Sequence, residues 1–303
     1  VTTSGTESLW AAITAVVEPG DEVVVLEPAF PWYVPDIRLA GGVVKPVRLD
    51  FASSFAVTEA KLRAAFSAKT KAIVFNTPHN PTGHVASAEE VGLVAKLCVE
   101  HDVICIADEV YEHFLFDEKL KHHRMCDQPG MAERTLTVGS ASKMFSLTGW
   151  RVGWLYGPAD LIGACRALHS FASYSAPTPL QEGVRVALDR AVAHGERGCP
   201  PELKPINARF LRNAQRLARA LEQRFGVRSF IPQGGYFLVS ECPAGMLDTD
   251  FCTLLAKQAG VVGVPMQVFY SSSDDAVKNL VRFAICKTEA LIDVAVKCVA
   301  ACP

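Results

Sequence analysis

The chain has 303 residues, 50% of them hydrophobic and 20% charged, with a formal net charge of -2 and a pI near 6.5. That composition belongs to a globular protein, long enough to bury a core in one large or two medium domains. It excludes a disordered or low-complexity chain, and it leaves no basic field for nucleic acid or an anionic membrane.

The ten cysteines form no framework. Cys98, Cys105, Cys165 and Cys286 sit inside apolar runs, where a thiol packs as a small hydrophobe. This usage points to a reducing compartment, cytoplasmic or mitochondrial. Cys298 and Cys302 lack further ligands nearby, so no metal is expected. No apolar run reaches the ~18 residues of a membrane span. The chain begins with Val1 as if inside a strand, and it reads as a fragment that has lost its N-terminus, with any targeting segment unobservable.

Taken in order, the chain starts with a helical run over 8–17, preceded by Gly5-Thr6-Glu7. Pro19-Gly20-Asp21 introduces an apolar strand over 22–26, and a second strand alternates over 43–49. An amphipathic stretch over 58–66 precedes a buried strand over 72–75. Helical spacing over 88–101 leads into a strand over 103–107, and further strands follow over 136–138 and 152–156. Short apolar runs separated by helices predict an α/β fold, a mostly parallel sheet covered by helices on both faces. After about Pro179 the texture changes. Helices are expected over 180–194, 208–225, 250–259 and 289–300, with strands over 236–240 and 280–285. These define a smaller α+β domain. The boundary falls near Gly195, giving a large domain over 1–195 and a small one over 196–303.

In open α/β sheets, ligands bind outside the carboxyl ends of the strands. Four polar runs end predicted strands. Asp108-Glu109 follows the strand over 103–107; a carboxylate there needs a cation or donor, or else it caps a helix. Lys143 follows Gly139-Ser140-Ala141-Ser142, where a desolvated amine can attack a carbonyl; a solvated surface lysine is the plainer alternative. Arg151 lies between glycines and tryptophans, suited to a phosphate or to stacking on Trp in a hairpin. Asn80 sits in Asn76-Thr77-Pro78-His79-Asn80-Pro81-Thr82-Gly83, a rigid run that aims it, or a plain Asn-Pro turn.

Together these residues suit pyridoxal 5'-phosphate. That cofactor requires a lysine for its aldehyde, an acid for its pyridine nitrogen and a cationic phosphate cup. Lys143, Asp108, and Arg151 with Ser140 answer those needs, and backbone N–H groups of Gly5-Thr6-Glu7 at a helix start add a phosphate site. No GxGxxG follows a strand, so a dinucleotide is not expected.

Six runs in order carry a resemblance: PGDEVVVLEPAFPWY, NTPHNPTG, ADEVYE, GSASKMFSLTGWRVGW, GGYF and VRFAICK. The chain resembles class I/II aminotransferases of pyridoxal-phosphate fold type I, and within them the kynurenine aminotransferase / glutamine transaminase K branch. Some members of that branch also act as cysteine-S-conjugate β-lyases. The resemblance implies that Lys143 anchors the cofactor and shuttles a proton. It implies that Asp108 partners the pyridine nitrogen, and that Tyr111 and Asn80 hydrogen-bond the ring oxygen. Phe30 is then the aromatic stacked on the ring. Ser140, Arg151 and the Thr6-Glu7 backbone form the phosphate cup, and Arg282, with Asn80, meets the substrate. The implied substrates are an L-amino acid (aromatic, kynurenine, glutamine or methionine-like) and an α-keto acid, in a homodimer.

The family extends further before the Gly5 run than this chain does, and Glu7 stands where the kynurenine branch often carries an aromatic. A β-lyase on the same site, or a catalytically incomplete relative, are the alternative readings. Phe30, Trp32, Tyr33, Tyr236, Phe269 and Tyr270 are expected near the site or in the core, suiting a large apolar or aromatic substrate.

Overall fold

The computed structural model describes residues 1–194, 199–272 and 278–302. The first half alternates helix and strand: α1 Gly5–Val16, β1 Glu22–Glu27, α2 Tyr33–Leu39, β2 Val43–Arg48, α3 Glu59–Ala65, β3 Thr70–Asn76, α4 Ala88–Glu100 and β4 Ile104–Asp108. Then come β5 Thr135–Ser140, the single-turn α5 Ala141–Met144, β6 Gly153–Tyr156, α6 Ala159–Ala172 and α7 Thr178–His194. The second part holds α8 Leu203–Phe225, β7 Ser229–Phe230, β8 Phe237–Glu241, α9 Asp248–Leu254, β9 Val264–Pro265, β10 Leu280–Ala284 and α10 Glu289–Ala300.

Six strands form one sheet in the order β2-β1-β3-β4-β5-β6, parallel throughout except for β6. Alternation along each strand divides the core in two. Val24, Leu26, Ile73, Phe75, Cys105 and Ala107 face one side with α3 and α4. Val23, Val25, Ala72, Val74, Ile106 and Val138 face the other with α1 and α2. Burying a Val, Ile or Leu stabilises by roughly 1.5–3 kcal/mol, so a sheet covered on both faces supports rigid strand ends. Pro46, which cannot donate to a ladder, lies on the edge strand β2, where one side needs no partner. The second sheet, β7-β8-β10-β9, is antiparallel, and α8 and α10 pack together beside it.

The expected α/β class holds, with local differences. α8 begins at Leu203 rather than at 208, because Pro205 falls in its first turn, where an N–H has no intrahelical acceptor. For the same reason Pro35 sits comfortably in α2, a short helix that the sequence reading passed over. α6, also passed over, buries Cys165 but leaves most of its length half-buried or exposed, which blurs its apolar stripe. The helix expected over 250–259 is α9 continued by a π-helical stretch, Leu255–Ala259. The expected domain boundary, 195 to 196, lies outside the described residues.

Candidate active site

Asp108, expected just beyond its strand, is the last residue of β4, in register with Asn76 on β3 and Val138 on β5. Its backbone carbonyl accepts from Asn76 Nδ2 at 2.7 Å and from the Thr77 N–H at 3.3 Å. The residues immediately after β4 form a turn and not a helix, so the helix-cap reading of Asp108 is wrong; its Oδ1 accepts instead from the Val110 N–H at 3.4 Å. Its Oδ2 accepts from the Tyr33 hydroxyl at 2.5 Å. Burial lifts the Asp108 carboxyl to about 6, against the pull of Tyr33, Val110 and Lys143.

Lys143 stands in α5, the single turn after β5, which Ser140 caps by accepting the Ser142 N–H at 3.2 Å. Lys143 is half-buried, its Nζ 5.5 Å from the ring centroids of Tyr111 and of Tyr236. Tyr236 also donates its hydroxyl to the Lys143 carbonyl at 3.3 Å. Burial pushes the Lys143 amine below the ordinary lysine range, Arg151 and Arg282 add to that, and Asp108 opposes it. A larger share of neutral, nucleophilic amine follows.

The NTPHNPTG turn aims Asn80 as expected, held by its neighbour: the Asn80 N–H donates to Asn76 Oδ1 at 2.7 Å. From the second sheet, Arg282 donates to Asn80 Oδ1 at 3.0 Å. Its guanidinium lies 3.9 Å from the Phe237 ring centroid and 4.5 Å from that of Phe269. Burial lowers Arg282 to about 10, so it remains a cation at neutral pH. This is not a solvated strand arginine. Arg151 adopts the left-handed conformation, φ 53°, and donates to the Thr148 carbonyl at 3.3 Å, its side chain otherwise open to solvent.

The start of α1 lies against this group because Gly153 has no side chain; a Cβ there would meet the Gly5 nitrogen at 2.4 Å. The first-turn N–H groups of Gly5 and Thr6 have no intrahelical acceptor and suit an anion. Gly5, Thr6, Phe30, Asn80, Asp108, Tyr111, Ser140, Lys143, Arg151 and Arg282 line one open cleft of about 210 Å³. Of the predicted site residues, Glu7 is the exception. Its carboxylate turns to α6, accepting from Ser173 at 2.6 Å, lying 3.1 Å from His169 Nδ1 and also accepting from the Thr3 N–H. Its side chain is spent on packing, which leaves only its backbone for the cup.

The sequence reading missed Ser142, Thr148 and Phe237 as lining residues, although all three lie inside the quoted runs. It also missed Asn76 and Tyr33 as buttresses, because nothing in a one-dimensional pattern shows hydrogen bonds that span 32 and 75 residues. The aromatic set divides. Phe30 lines the cleft with Trp32 stacked on it at 5.2 Å, Phe269 flanks Arg282, Tyr236 packs on Tyr111 at 5.2 Å, and Tyr270 packs against the core.

A buried acid, a half-buried amine and two arginines gather around one cleft at the carboxyl ends of parallel strands, the place where open α/β sheets bind ligands. The sequence matches the family Aminotransferase class I and II over residues 1–299, and the chain belongs to that family. It is 37% identical to the probable N-succinyldiaminopimelate aminotransferase DapC of Mycobacterium tuberculosis, over 98% of this chain and 75% of that protein. It is 35% identical to human kynurenine--oxoglutarate transaminase 1, over 96% of this chain and 74% of that protein. The solved structure of the M. tuberculosis N-succinyldiaminopimelate aminotransferase superposes with a TM-score of 0.91, covering 100% of this chain and 77% of that one. An Escherichia coli protein, YbdL, described as having a methionine aminotransferase function, superposes at 0.87 with 30% identity over 99% of this chain and 75% of that one. The chain is thus an enzyme of amino-group transfer between amino acid and keto acid, and its family implies dependence on pyridoxal phosphate. Among the described residues no helix is long and apolar enough to cross a membrane.

Proposed function

We propose that the cleft binds pyridoxal 5'-phosphate and moves an amino group from a large apolar or aromatic L-amino acid, or from kynurenine, glutamine or methionine, to an α-keto acid. The observation that carries this reading is the convergence of Lys143, Asp108, Asn80, Tyr111, Arg151 and Arg282 on one cleft. When bound, the cofactor supplies an aldehyde and a protonated pyridine that takes up the electrons released at the substrate's Cα.

Lys143 is the amine for that aldehyde and, once freed by substrate, carries the proton at Cα. Asp108 keeps the pyridine nitrogen protonated. Tyr111 and Asn80 donate to the ring's oxygen, and Phe30 covers the ring face. Arg151, Ser140 and the N–H groups of Gly5, Thr6 and Glu7 hold the phosphate. Arg282 clamps the substrate carboxylate with its forked donors while Phe237 and Phe269 hold it in the required orientation.

The substrate class draws support from the kynurenine- and methionine-acting relatives and from the rings around Arg282 and Phe30. A large domain over 1–195 and a small one over 196–303, meeting at the cleft, belong to the same reading. So does a homodimer: Phe171 and Tyr174, 94% and 84% exposed, follow the contacts that tie α6 to Glu7 and offer a second copy an apolar surface. An amino-donor panel on the protein loaded with pyridoxal phosphate tests the substrate. Aromatic amino acids, kynurenine, methionine or glutamine should be turned over fastest, whereas clear preference for N-succinyldiaminopimelate or aspartate would overturn this substrate assignment.

A further inference from the structure

Asp108 is 4% exposed, and an anion so placed must be stabilised by donors or cations. Its backbone donor, the Val110 N–H, is distant at 3.4 Å. Its close donor is the Tyr33 hydroxyl, 2.5 Å from Oδ2, a length typical of a charge-assisted bond. Tyr33 is itself 2% exposed. Burial, and next the Asp108 charge, push its ionisation far above the ordinary tyrosine range, so it stays a proton donor at any working pH.

Tyr33 opens α2, and its N–H donates to the Phe30 carbonyl at 3.2 Å. Its ring meets that of Phe30 edge-on at 5.6 Å and packs in the core with Ile37, Leu9 and Ile13. One short turn thereby carries two groups: a ring exposed to the cleft, and a hydroxyl that grips Asp108 from below.

We propose that Tyr33 is a positioning residue, whose hydroxyl fixes the orientation of Asp108 and keeps it ionised opposite the cofactor's ring nitrogen. The inference rests on the reading of Asp108 given under Proposed function. Its sign follows from the balance at the carboxylate. Burial raises the Asp108 carboxyl, and the neighbouring Glu109 adds to that; the Tyr33 bond is the largest of the effects that lower it, ahead of the Val110 N–H and the Lys143 amine. Removing that bond raises the carboxyl further, so Asp108 turns neutral at a higher pH. A neutral Asp108 no longer stabilises a protonated pyridine, and cofactor binding then weakens from a higher pH downward.

The test uses Tyr33→Phe, Tyr33→His and Asp108→Asn, with two readouts. Infrared titration of the carboxyl band in the cofactor-free protein follows Asp108 directly, identified by its loss in Asp108→Asn. The dissociation constant of pyridoxal phosphate, measured across pH, follows its consequence. Tyr33→Phe should move the carboxyl midpoint upward from about 6 and raise the dissociation constant about tenfold near neutral pH, the scale of a hydrogen bond to a charged group. Tyr33→His, which keeps a buried donor, should restore both in part. If Asp108→Asn weakens cofactor binding while Tyr33→Phe leaves midpoint and constant unchanged, the role of Tyr33 is overturned and that of Asp108 stands. Equal defects in Phe and His variants, with an unmoved midpoint, would mean packing alone and overturn it too. If Asp108→Asn leaves cofactor binding unchanged, the underlying reading itself fails. Should Tyr33→Phe not fold, Tyr33→Met, which also removes the donor, decides: a midpoint displaced upward in a folded protein supports the proposal, and an unmoved one sinks it.

Discussion

Two consecutive carboxylates lie at the end of β4, and they face different halves of the molecule. Asp108 looks into the cleft, toward Lys143, with Tyr33 as its close donor. Glu109, 2% exposed, looks away from it. Its Oε1 accepts from the Met125 N–H at 3.0 Å and its Oε2 lies 3.0 Å from His122 Nε2, which ties the irregular segment before β5 to the sheet. The pair shows that burial of a charge says nothing about its use. What separates them is what they face: a buried amine across open space, or a chain segment that needs fastening.

The contrast is broken most decisively from the cleft side. Lys143→Ala should lower turnover at least about a thousandfold with the fold intact, because it removes the group that moves the proton. Steady-state assays alongside circular dichroism check this, and retained turnover without added amine would remove the cleft from the chemistry. Next in size is Arg282→Lys. The amine cannot reproduce a forked pair of bonds, so KM for the amino acid should rise about tenfold or more while kcat changes less. An equal fall in kcat with constant KM would place Arg282 in the chemical step instead. The smallest effect on rate belongs to the rear. Glu109→Gln should cost about 1–3 kcal/mol in a denaturant titration by weakening the Met125 and His122 contacts, and leave the rate of the remaining folded enzyme near that of the parent. A large rate defect at unchanged stability would erase the distinction between the two carboxylates.

Much of the site was legible in the chain. Lys143, Asp108 and Asn80 each come after a short apolar run, and in a parallel sheet the ends of such runs gather on one edge, whereas Arg151 precedes β6, whose antiparallel direction brings its start to that edge. Arg282 was legible through the VRFAICK run and its family resemblance, since an arginine in an antiparallel strand carries no signal of its own. Tyr33 was read as a generic aromatic. Its partner lies 75 residues away, and residue type fixes neither which way the hydroxyl points nor what it meets. Glu7 illustrates the converse: its place in the first turn of α1 is local and readable, but the turn of its side chain toward His169 and Ser173 depends on α6, an element the pattern left unassigned.

The sequence by itself determined the kind of sheet, the edge at which the candidate cleft lies and the residue types brought there. These depend on strand periodicity and on turns, which act over a few residues. The tertiary structure decided which of two neighbouring carboxylates enters the cleft, what holds it charged, and how Arg282 crosses from a second sheet to reach Asn80. Those outcomes are set by contacts between elements far apart in the chain, where burial makes an unpaired polar group costly and so favours arrangements that bring it a partner.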